Sequence, residues 1–288
     1  MMDSMNTIEI SNESLCAKIH LKGAEPFMLS QQGNDHNWLW SADPLWPRTA
    51  PLLFPIVGKL KEDSYRYQGK SYKLPQHGFA RDSIFEVVKK SDSHVHLRLS
   101  ANKETLNAYP FHFELNVFYS LEGDTFKMKC HLKNLEQEEL LYNFGWHPGF
   151  VLPKQNRKVR LGVDKNLGMF QRLKGGLISD KKYELSKIEN EYDLDASLFV
   201  EDALVFLSNT ASEFTIKDEG GAYLKMSGTP APYFGLWTKD VSRFICLEPW
   251  WGHASLLNEE SQDLENKVGI KRCLGEVCLA DLMVEVKQ

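Results

Sequence analysis

Hydrophobic and polar residues alternate along much of the chain. The alternation is strict over residues 94–99, 111–119 and 126–132. Because successive side chains of a strand point to opposite faces of a sheet, each run predicts a strand with one buried and one polar face. Turn-forming residues at 68–70 and 122–124 separate neighbouring runs. Many short strands joined by tight turns predict an all-β protein, either a sandwich or a barrel.

Helical signals are few and short. Residues 100–109 can form one or two helical turns that end before Pro110. The polar residues 180–191 are predicted to form a loop or a short helix. Strands and helices do not alternate, and no linker or internal repeat divides the sequence. We therefore expect a single domain over residues 1–288.

Composition and charge narrow the classes of function. The 288 residues are 42% apolar and 25% charged, which is enough for a large core and a polar surface. A formal net charge of -5 argues against nucleic acid as the main partner, because phosphate binding needs a concentrated basic face. No apolar run approaches the ~20 residues of a membrane span, and residues 1–10 do not resemble a signal peptide. We expect no membrane partner and a cytoplasmic location, as a monomer or a homodimer.

The cysteines and histidines give little sign of a metal centre. Five scattered cysteines do not form a disulfide framework, and four lie in strand-like apolar runs that predict buried, inert thiols. His94 and His96 share one side of a predicted strand, but no third ligand lies near them in sequence. A phosphate-binding loop, a dinucleotide fingerprint, a nucleophile elbow and a His-Glu-x-x-His motif are all missing. The sequence therefore predicts no metal and no cofactor.

Four segments break the alternation and carry candidate chemistry. Residues 46–59 contain three prolines, which exclude a regular helix or a central strand, and a lone arginine, Arg48. That arginine either pairs with a buried acid or faces a ligand. Residues 74–82 place His77 before a glycine in a predicted turn, and loops on a rigid sheet are favoured places for function.

The other two segments join titratable groups to aromatic residues. His147 lies among aromatic residues in 142–150, and Glu248 ends an apolar run that two tryptophans follow. Aromatic faces and a few polar groups suit a sugar, which has apolar CH patches and a belt of hydroxyls. Both residues precede a proline, which favours an extended backbone. A desolvated glutamate in such surroundings would have a raised pKa.

At these segments the chain resembles the aldose 1-epimerase, or galactose mutarotase, superfamily, and within it the LacX-like branch. The motifs that carry the resemblance follow the order of the family and occupy residues 48–58, 77–81, 109–111, 145–150, 202–204 and 247–252. The resemblance implies a large antiparallel β-sandwich with few short helices and a shallow sugar cleft without metal or cofactor. It implies that Glu248, His147 and His77 are catalytic and that Arg48 and Asp202 bind sugar hydroxyls.

These roles fit the chemistry of mutarotation. Opening an aldopyranose ring requires a base for the C1 hydroxyl proton and an acid for the ring oxygen. We expect Glu248 to be the base and His147, as an imidazolium with a pKa near working pH, to be the acid. The substrate would be an aldohexose such as galactose or glucose.

Three alternatives remain open at this stage. The chain could be a non-catalytic sugar-binding or sensing protein on the same fold. It could be a glycoside hydrolase that uses Asp202 and Glu248 as its carboxylate pair. It could also be a hexose-6-phosphate mutarotase, which would need basic residues such as Lys59, Arg81 or Arg243 at the rim of the cleft.

Overall fold

The computed structural model describes residues 6–152, 159–218 and 221–286. Within these residues the chain is built almost entirely from β-strands. In chain order they are β1 (Thr7–Ser11), β2 (Leu15–His20), β3 (Pro26–Gln31), β4 (Leu52–Leu53), β5 (Ser64–Tyr67), β6 (Lys70–Lys73), β7 (Glu86–Lys90), β8 (His94–Ser100), β9 (Phe113–Glu122), β10 (Thr125–Asn134), β11 (Leu140–Tyr142), β12 (Phe144–Trp146), β13 (Gly149–Val151), β14 (Arg160–Val163), β15 (Met169–Lys174), β16 (Leu177–Glu184), β17 (Glu191–Asp193), β18 (Leu204–Phe206), β19 (Glu213–Asp218), β20 (Gly221–Gly228), β21 (Tyr233–Trp237), β22 (Phe244–Trp251), β23 (Lys271–Cys273) and β24 (Glu276–Val286).

Two large antiparallel sheets dominate the fold. The first has nine strands in the order β17-β14-β19-β20-β24-β10-β9-β8-β7. The second has eight strands. Seven follow the order β16-β15-β18-β21-β22-β12-β4, and the eighth, β13, pairs with β22 on the same side as β12. Smaller sheets are formed by β1-β2-β3, by β11-β23 and by β5-β6. This is the large antiparallel β-sandwich that the resemblance implied.

The inner faces of the two large sheets share one apolar core. Alternate residues of β9 in the first sheet and of β21 in the second belong to the same buried cluster. Phe214 of β19 stacks on Phe234 of β21, with ring centroids 4.1 Å apart. Since aromatic burial contributes strongly to core stability, this contact helps to hold the sheets face to face. The side chains of the second sheet that point away from this core are free to form a site.

Helices are short and lie between strands. The helix α1 (Lys103–Ala108) confirms the helical turns expected before Pro110, and Asn102 and Thr105 cap it reciprocally. Single turns of 3₁₀-helix occur at Lys61–Asp63, Ala80–Asp82, Ala196–Phe199 and Leu264–Asn266. Among the described residues, none of the helices has the length and apolarity to cross a bilayer.

The polar segment 180–191 differs from the expectation of a loop or short helix. Its first half continues β16 to Glu184, and its last residue begins β17. Strands β16 and β17 lie at the edges of their sheets. An edge strand tolerates exposed charged side chains on both faces, so it does not need the apolar alternation that reveals a central strand. The proline-rich segment behaves as expected, because β4 is only two residues long and also lies at an edge.

Candidate functional site

A cleft of about 800 Å³ lies on the face of the eight-stranded sheet that points away from the core. Its floor is formed by alternate residues of β22 and its neighbours, and loops between strands form its walls. The five residues expected from the sequence all line it, namely Arg48, His77, His147, Asp202 and Glu248. Five separate segments of the chain are thereby brought to one place.

Strand β22 divides its side chains between core and cleft. Ile245 and Leu247 enter the main core, whereas Glu248 and Trp250 line the cleft. Gly235 of β21 lies directly opposite Glu248 in the ladder. A Cβ atom at Gly235 would come within 2.5 Å of the Trp250 ring, so this glycine leaves space for the indole in the cleft floor.

The register of β22 brings His147 to Glu248. On the other side of β22, Gly145 pairs with Trp250 and Gly149 pairs with Cys246. The same register places His147 opposite Glu248, at the gap between β12 and β13. In that position the Nε2 atom of His147 lies 3.2 Å from the Oε1 atom of Glu248.

The prolines beside these two residues explain the local backbone. The sequence suggested that Glu248 ends its strand, but β22 continues through Pro249 to Trp251. Pro249 has no N–H to give to a ladder, and in this register it falls opposite Trp146, the last residue of β12 before the interruption at His147 and Pro148. His147 lies in the interruption between β12 and β13, and its imidazole lines the cleft.

Burial perturbs the pKa values of both groups in opposite directions. The pKa of the Glu248 carboxyl is raised well above its usual value, first by burial and then by the charge of Asp202. The indole of Trp250 opposes this shift, although its Nε1 makes no hydrogen bond of normal geometry among the described residues. Burial lowers the pKa of His147 to about 3. The expectation of a pKa near working pH for His147 is therefore wrong for the ligand-free site, because the imidazole is desolvated.

His77 occupies a strained position that fixes its tautomer. Its backbone is left-handed (φ 66°), a region in which histidine is enriched among non-glycine residues. Its own N–H donates to the Gly58 carbonyl at 2.8 Å, and the Gly58 N–H donates to its Nδ1 at 3.1 Å. Burial, followed by the charges of His147, Arg81 and Arg48, lowers the pKa of His77 well below its usual value. A neutral His77 that accepts at Nδ1 carries its proton on Nε2, which lies 3.3 Å from the side-chain amide of Gln76.

The loop of His77 depends on the following glycine. Gly78 is also left-handed (φ 69°), and a Cβ atom there would lie 2.3 Å from the Phe54 carbonyl oxygen. No other residue fits this close approach to the backbone. The His-Gly pair that the sequence placed in a turn is therefore needed to aim the imidazole at the cleft.

Arg48 pairs with an acid and also lines the cleft, but the acid is not the buried one that the sequence analysis considered. Its Nη2 lies 2.8 Å from Asp82 Oδ1, and its Nη1 donates to the Arg81 carbonyl at 3.2 Å. Asp82 is partly exposed rather than buried. The Arg48 side chain is 27% exposed and still lines the cleft, so it retains donors for a ligand.

Asp202 lies at the rim of the cleft and is exposed. Its backbone is left-handed (φ 75°), and its carboxylate accepts a hydrogen bond from the Ala203 N–H at 2.9 Å. The remaining carboxylate oxygen can accept a further hydrogen bond at the cleft mouth.

Several residues of the site escaped the sequence analysis. Trp46 stacks on His147 with centroids 5.1 Å apart, and Trp237 meets the same ring edge-on at 5.7 Å. Glu25 is buried and accepts hydrogen bonds from the Thr49 and Ala50 N–H groups at 2.7 and 2.9 Å, which holds the backbone beside Arg48. Glu25 lies far from these residues in sequence, so only the fold could reveal the contact.

The histidine pair considered for metal binding has other partners. The Nδ1 atom of His94 lies beside the Ser91 hydroxyl, and His96 Nε2 lies 2.8 Å from Asn116 Oδ1. All five cysteines are free thiols, as expected. Cys130, Cys246 and Cys273 are buried, but Cys278 is exposed and Cys16 is partly exposed, so the expectation of four buried thiols was too high.

The fold and the cleft together define a β-sandwich protein with a small-molecule site on one sheet. The chain belongs to the aldose 1-epimerase family, whose model matches residues 6–250. It is 30% identical to the chromosomal and plasmid LacX proteins of Lactococcus lactis subsp. lactis, over 93% of this chain and 95% of each relative.

Solved structures show the same fold over nearly the whole chain. A galactose mutarotase related enzyme from Lactobacillus acidophilus superposes with a TM-score of 0.89 and 30% identity, over 98% of this chain and 97% of that chain. A galactose mutarotase-like protein from Lactobacillus casei ATCC 334 also gives a TM-score of 0.89, with 27% identity, over 98% of this chain and 100% of that chain.

The buried carboxylate should reduce stability as pH rises. The pKa of Glu248 is higher in the folded than in the unfolded state, so its contribution to stability is present below the unfolded pKa and lost as pH rises through the folded pKa. We expect Glu248→Gln to raise the free energy of unfolding by about 0.5–2 kcal/mol at mildly alkaline pH, with little gain in acid. Urea unfolding of both proteins across pH measures this, and a destabilised variant at every pH would contradict it.

Proposed function

We propose that this protein is an aldose 1-epimerase that interconverts the α and β anomers of an aldohexose such as galactose or glucose. The observation that carries the proposal is the contact between His147 Nε2 and Glu248 Oε1, 3.2 Å apart in the floor of the cleft. Both groups are nearly buried, with side chains 12% and 2% exposed. A base and an acid held side by side in a water-poor cleft suit proton transfer at the two oxygens of a hemiacetal.

The reaction balances without a further reactant. The Glu248 carboxylate takes the proton from the C1 hydroxyl while the His147 imidazolium gives a proton to the ring oxygen, and the C1–O5 bond breaks to give the open aldehyde. Rotation about the C1–C2 bond presents the other face of the aldehyde. Reclosure then reverses both proton transfers.

The pKa shifts agree with this proton flow. The pair with imidazolium and carboxylate has the same number of protons as the pair with neutral imidazole and carboxylic acid. Burial favours the neutral form, as the raised pKa of Glu248 and the lowered pKa of His147 indicate. Ring opening converts the charged form into the neutral one, so the desolvated site would favour the direction in which the ring opens.

The other three residues have supporting roles in this proposal. The Nε2–H group of neutral His77 would donate to an oxygen of the hemiacetal, and its ring centroid lies 5.8 Å from that of His147. Arg48 would donate to sugar hydroxyls and Asp202 would accept from them. Trp46 and Trp237 give the cleft apolar faces for the CH patches of a pyranose.

A panel of sugars tests the proposal directly. We expect the protein to accelerate anomer exchange of galactose or glucose above the spontaneous rate, as measured by polarimetry or NMR exchange. Neutral sugars should react faster than their 6-phosphates, because the cationic residues of the cleft are largely engaged. Arg48 binds Asp82, and Arg81 donates to the Gln76 carbonyl at 2.6 Å. Faster turnover of glucose 6-phosphate would contradict this preference and favour the hexose-6-phosphate mutarotase.

Two of the basic residues considered for a phosphate site do not line the cleft. Arg243 pairs with Asp43 and covers the Trp40 ring, and Lys59 lies 3.8 Å from Asp63. Lys239 lines the cleft and is exposed, and among the described residues it has no ion pair. It is the cation that would carry a preference for phosphate if the panel revealed one.

The pH dependence should reflect the coupled pair. We expect a bell-shaped profile of kcat/KM, because activity requires one exchangeable proton shared by Glu248 and His147. The alkaline limb should follow the raised pKa of Glu248, at which the pair loses the shared proton. The acid limb should lie below the pKa of an ordinary glutamate, because the lowered pKa of His147 delays uptake of a second proton. His77 should add no limb, as its low pKa keeps it neutral. An acid limb at the pKa of an ordinary exposed carboxyl would contradict this assignment.

The sugar-binding and glycoside-hydrolase alternatives make different predictions. A sugar-binding protein would bind the panel but give no exchange above the spontaneous rate. A glycoside hydrolase would cleave aryl glycosides and would need a second carboxylate across the scissile bond. The titratable group that contacts Glu248 is an imidazole, which supports the epimerase over the hydrolase.

A further inference from the structure

A third reactive side chain lies buried beside the proposed acid–base pair. Cys246 lies two residues before Glu248 on β22, so both side chains point to the same face of the sheet. Cys246 is fully buried, with aromatic residues including Phe244 around it. One ligand atom from each of His147, Cys246 and Glu248 lies within 4.8 Å of the others. The proposed mutarotation does not use this thiol.

The three side chains match the ligands of a catalytic-type zinc site. Zn²⁺ binds thiolate sulfur, imidazole nitrogen and carboxylate oxygen in tetrahedral geometry, and such sites often have three protein ligands and one open position. The distance between His147 Nε2 and Glu248 Oε1, 3.2 Å, is already that of two ligands on one tetrahedral ion. An inward movement of Cys246 by about 1 Å would complete the set. The open position would face the cleft, which His147 and Glu248 line.

We propose that His147, Cys246 and Glu248 form a site for a thiophilic divalent cation, Zn²⁺ above all, and that occupation of this site blocks proton transfer. Inhibition rests on the proposed epimerase function, whereas metal binding does not. A bound ion would occupy the lone pairs that Glu248 and His147 need for acid–base chemistry. Zinc would thus be an inhibitor of this protein and not its cofactor.

Charge balance favours the binding of a divalent cation in this buried site. Two anionic groups side by side in a buried site are costly, and burial together with Glu248 raises the pKa of the Cys246 thiol. One divalent cation neutralises a thiolate and a carboxylate, so the complex with a neutral imidazole has no net charge. This offsets the penalty that burial imposes on both anionic groups.

Two features limit the affinity. The Nδ1 atom of His147 is buried and has no hydrogen-bond partner among the described residues, whereas most ligating histidines are oriented by such a partner. The thiol must also lose its proton when the ion binds.

Direct metal binding gives the first test. The accessible thiols are removed by Cys16→Ser and Cys278→Ser, and this background protein is titrated with Co²⁺. We expect a near-ultraviolet thiolate-to-cobalt absorption band that Zn²⁺ abolishes by displacement. Cys246→Ser and Cys246→Ala in this background should lose the band and bind Zn²⁺ about 100-fold more weakly or worse, since loss of even an outer-shell partner costs about 10–100-fold. Cys130→Ser, which alters another fully buried thiol, should retain the band.

Inhibition gives the second test. Zn²⁺ should inhibit anomer exchange by the background protein, and EDTA should restore the rate. Inhibition of each variant is compared with its own zinc-free rate, and the Cys246 variants should resist zinc. Absence of a thiolate band in the folded background protein, or equal inhibition with and without Cys246, would overturn the site.

The two proposals fail in distinguishable ways. If the EDTA-treated protein has no mutarotase activity but shows the Cys246-dependent cobalt band, the epimerase function fails and the metal site stands. If EDTA removes activity and Zn²⁺ restores it, the ion is a cofactor, and both the inhibitory role and the metal-free mechanism are overturned.

Discussion

Replacing Glu248 with glutamine is expected to lower kcat for mutarotation by about 10²–10⁴-fold while sugar affinity changes little. Glutamine preserves the size of the side chain and its hydrogen-bonding capacity, but it cannot accept the C1 hydroxyl proton. Positioned acid–base groups typically contribute an effect of this size. Rates from NMR anomer exchange and binding by calorimetry separate the two quantities.

Two further variants make the test specific. Glu259 is another buried glutamate, which accepts hydrogen bonds from the Leu256 and Val268 N–H groups and lies outside the cleft. Glu259→Gln should therefore leave mutarotation near the wild-type rate. The double variant Glu248→Gln/His147→Asn should lower kcat by less than the product of the two single-variant reductions, because acid and base act as one unit. Near-full activity of Glu248→Gln would refute the site assignment.

The second large effect is expected at His77, where two substitutions separate the functions of the two ring nitrogens. Asparagine can still accept the Gly58 N–H at the position of Nδ1, but it lacks a donor at the position of Nε2. Asparagine also tolerates the left-handed backbone of this residue. We expect His77→Asn to lower kcat by about 10²–10³-fold, which is the usual cost of removing one donor that stabilises developing charge.

His77→Gln is the matched comparison. Its amide can place a donor near the position of Nε2, so it should retain much more activity than His77→Asn. Neither variant should shift the limbs of the pH profile, since His77 acts as a neutral donor. Equal activity of the two variants, or a displaced limb, would show that His77 does not act through its Nε2–H group. Thermal unfolding of both proteins checks that the loop remains folded.

The sequence by itself determined the class of fold and the candidate residues. Strict alternation identified β8, β9 and β10, because one-sided burial of a strand is a local pattern. The prolines of residues 46–59 excluded a long strand there, and β4 is only two residues long. The resemblance at the six motifs supplied five residues that line the cleft. It gave no information on the distances between their side chains.

Only the tertiary structure decided how those residues meet. His147 and Glu248 lie about one hundred positions apart, and their contact depends on the register in which β12 and β13 flank β22. Alternation alone could not assign Cys246 to the same face of the sheet, because β22 is apolar along most of its length.

The electrostatics of the site also required the assembled fold. Desolvation raises the pKa of Glu248 and lowers that of His147. This desolvation arises only when both sheets and the loops around the cleft exclude water from the two side chains. The tautomer of His77 depends on a backbone N–H nineteen residues away, at Gly58. A sequence specifies which groups can titrate, whereas their protonation depends on neighbours that are distant along the chain.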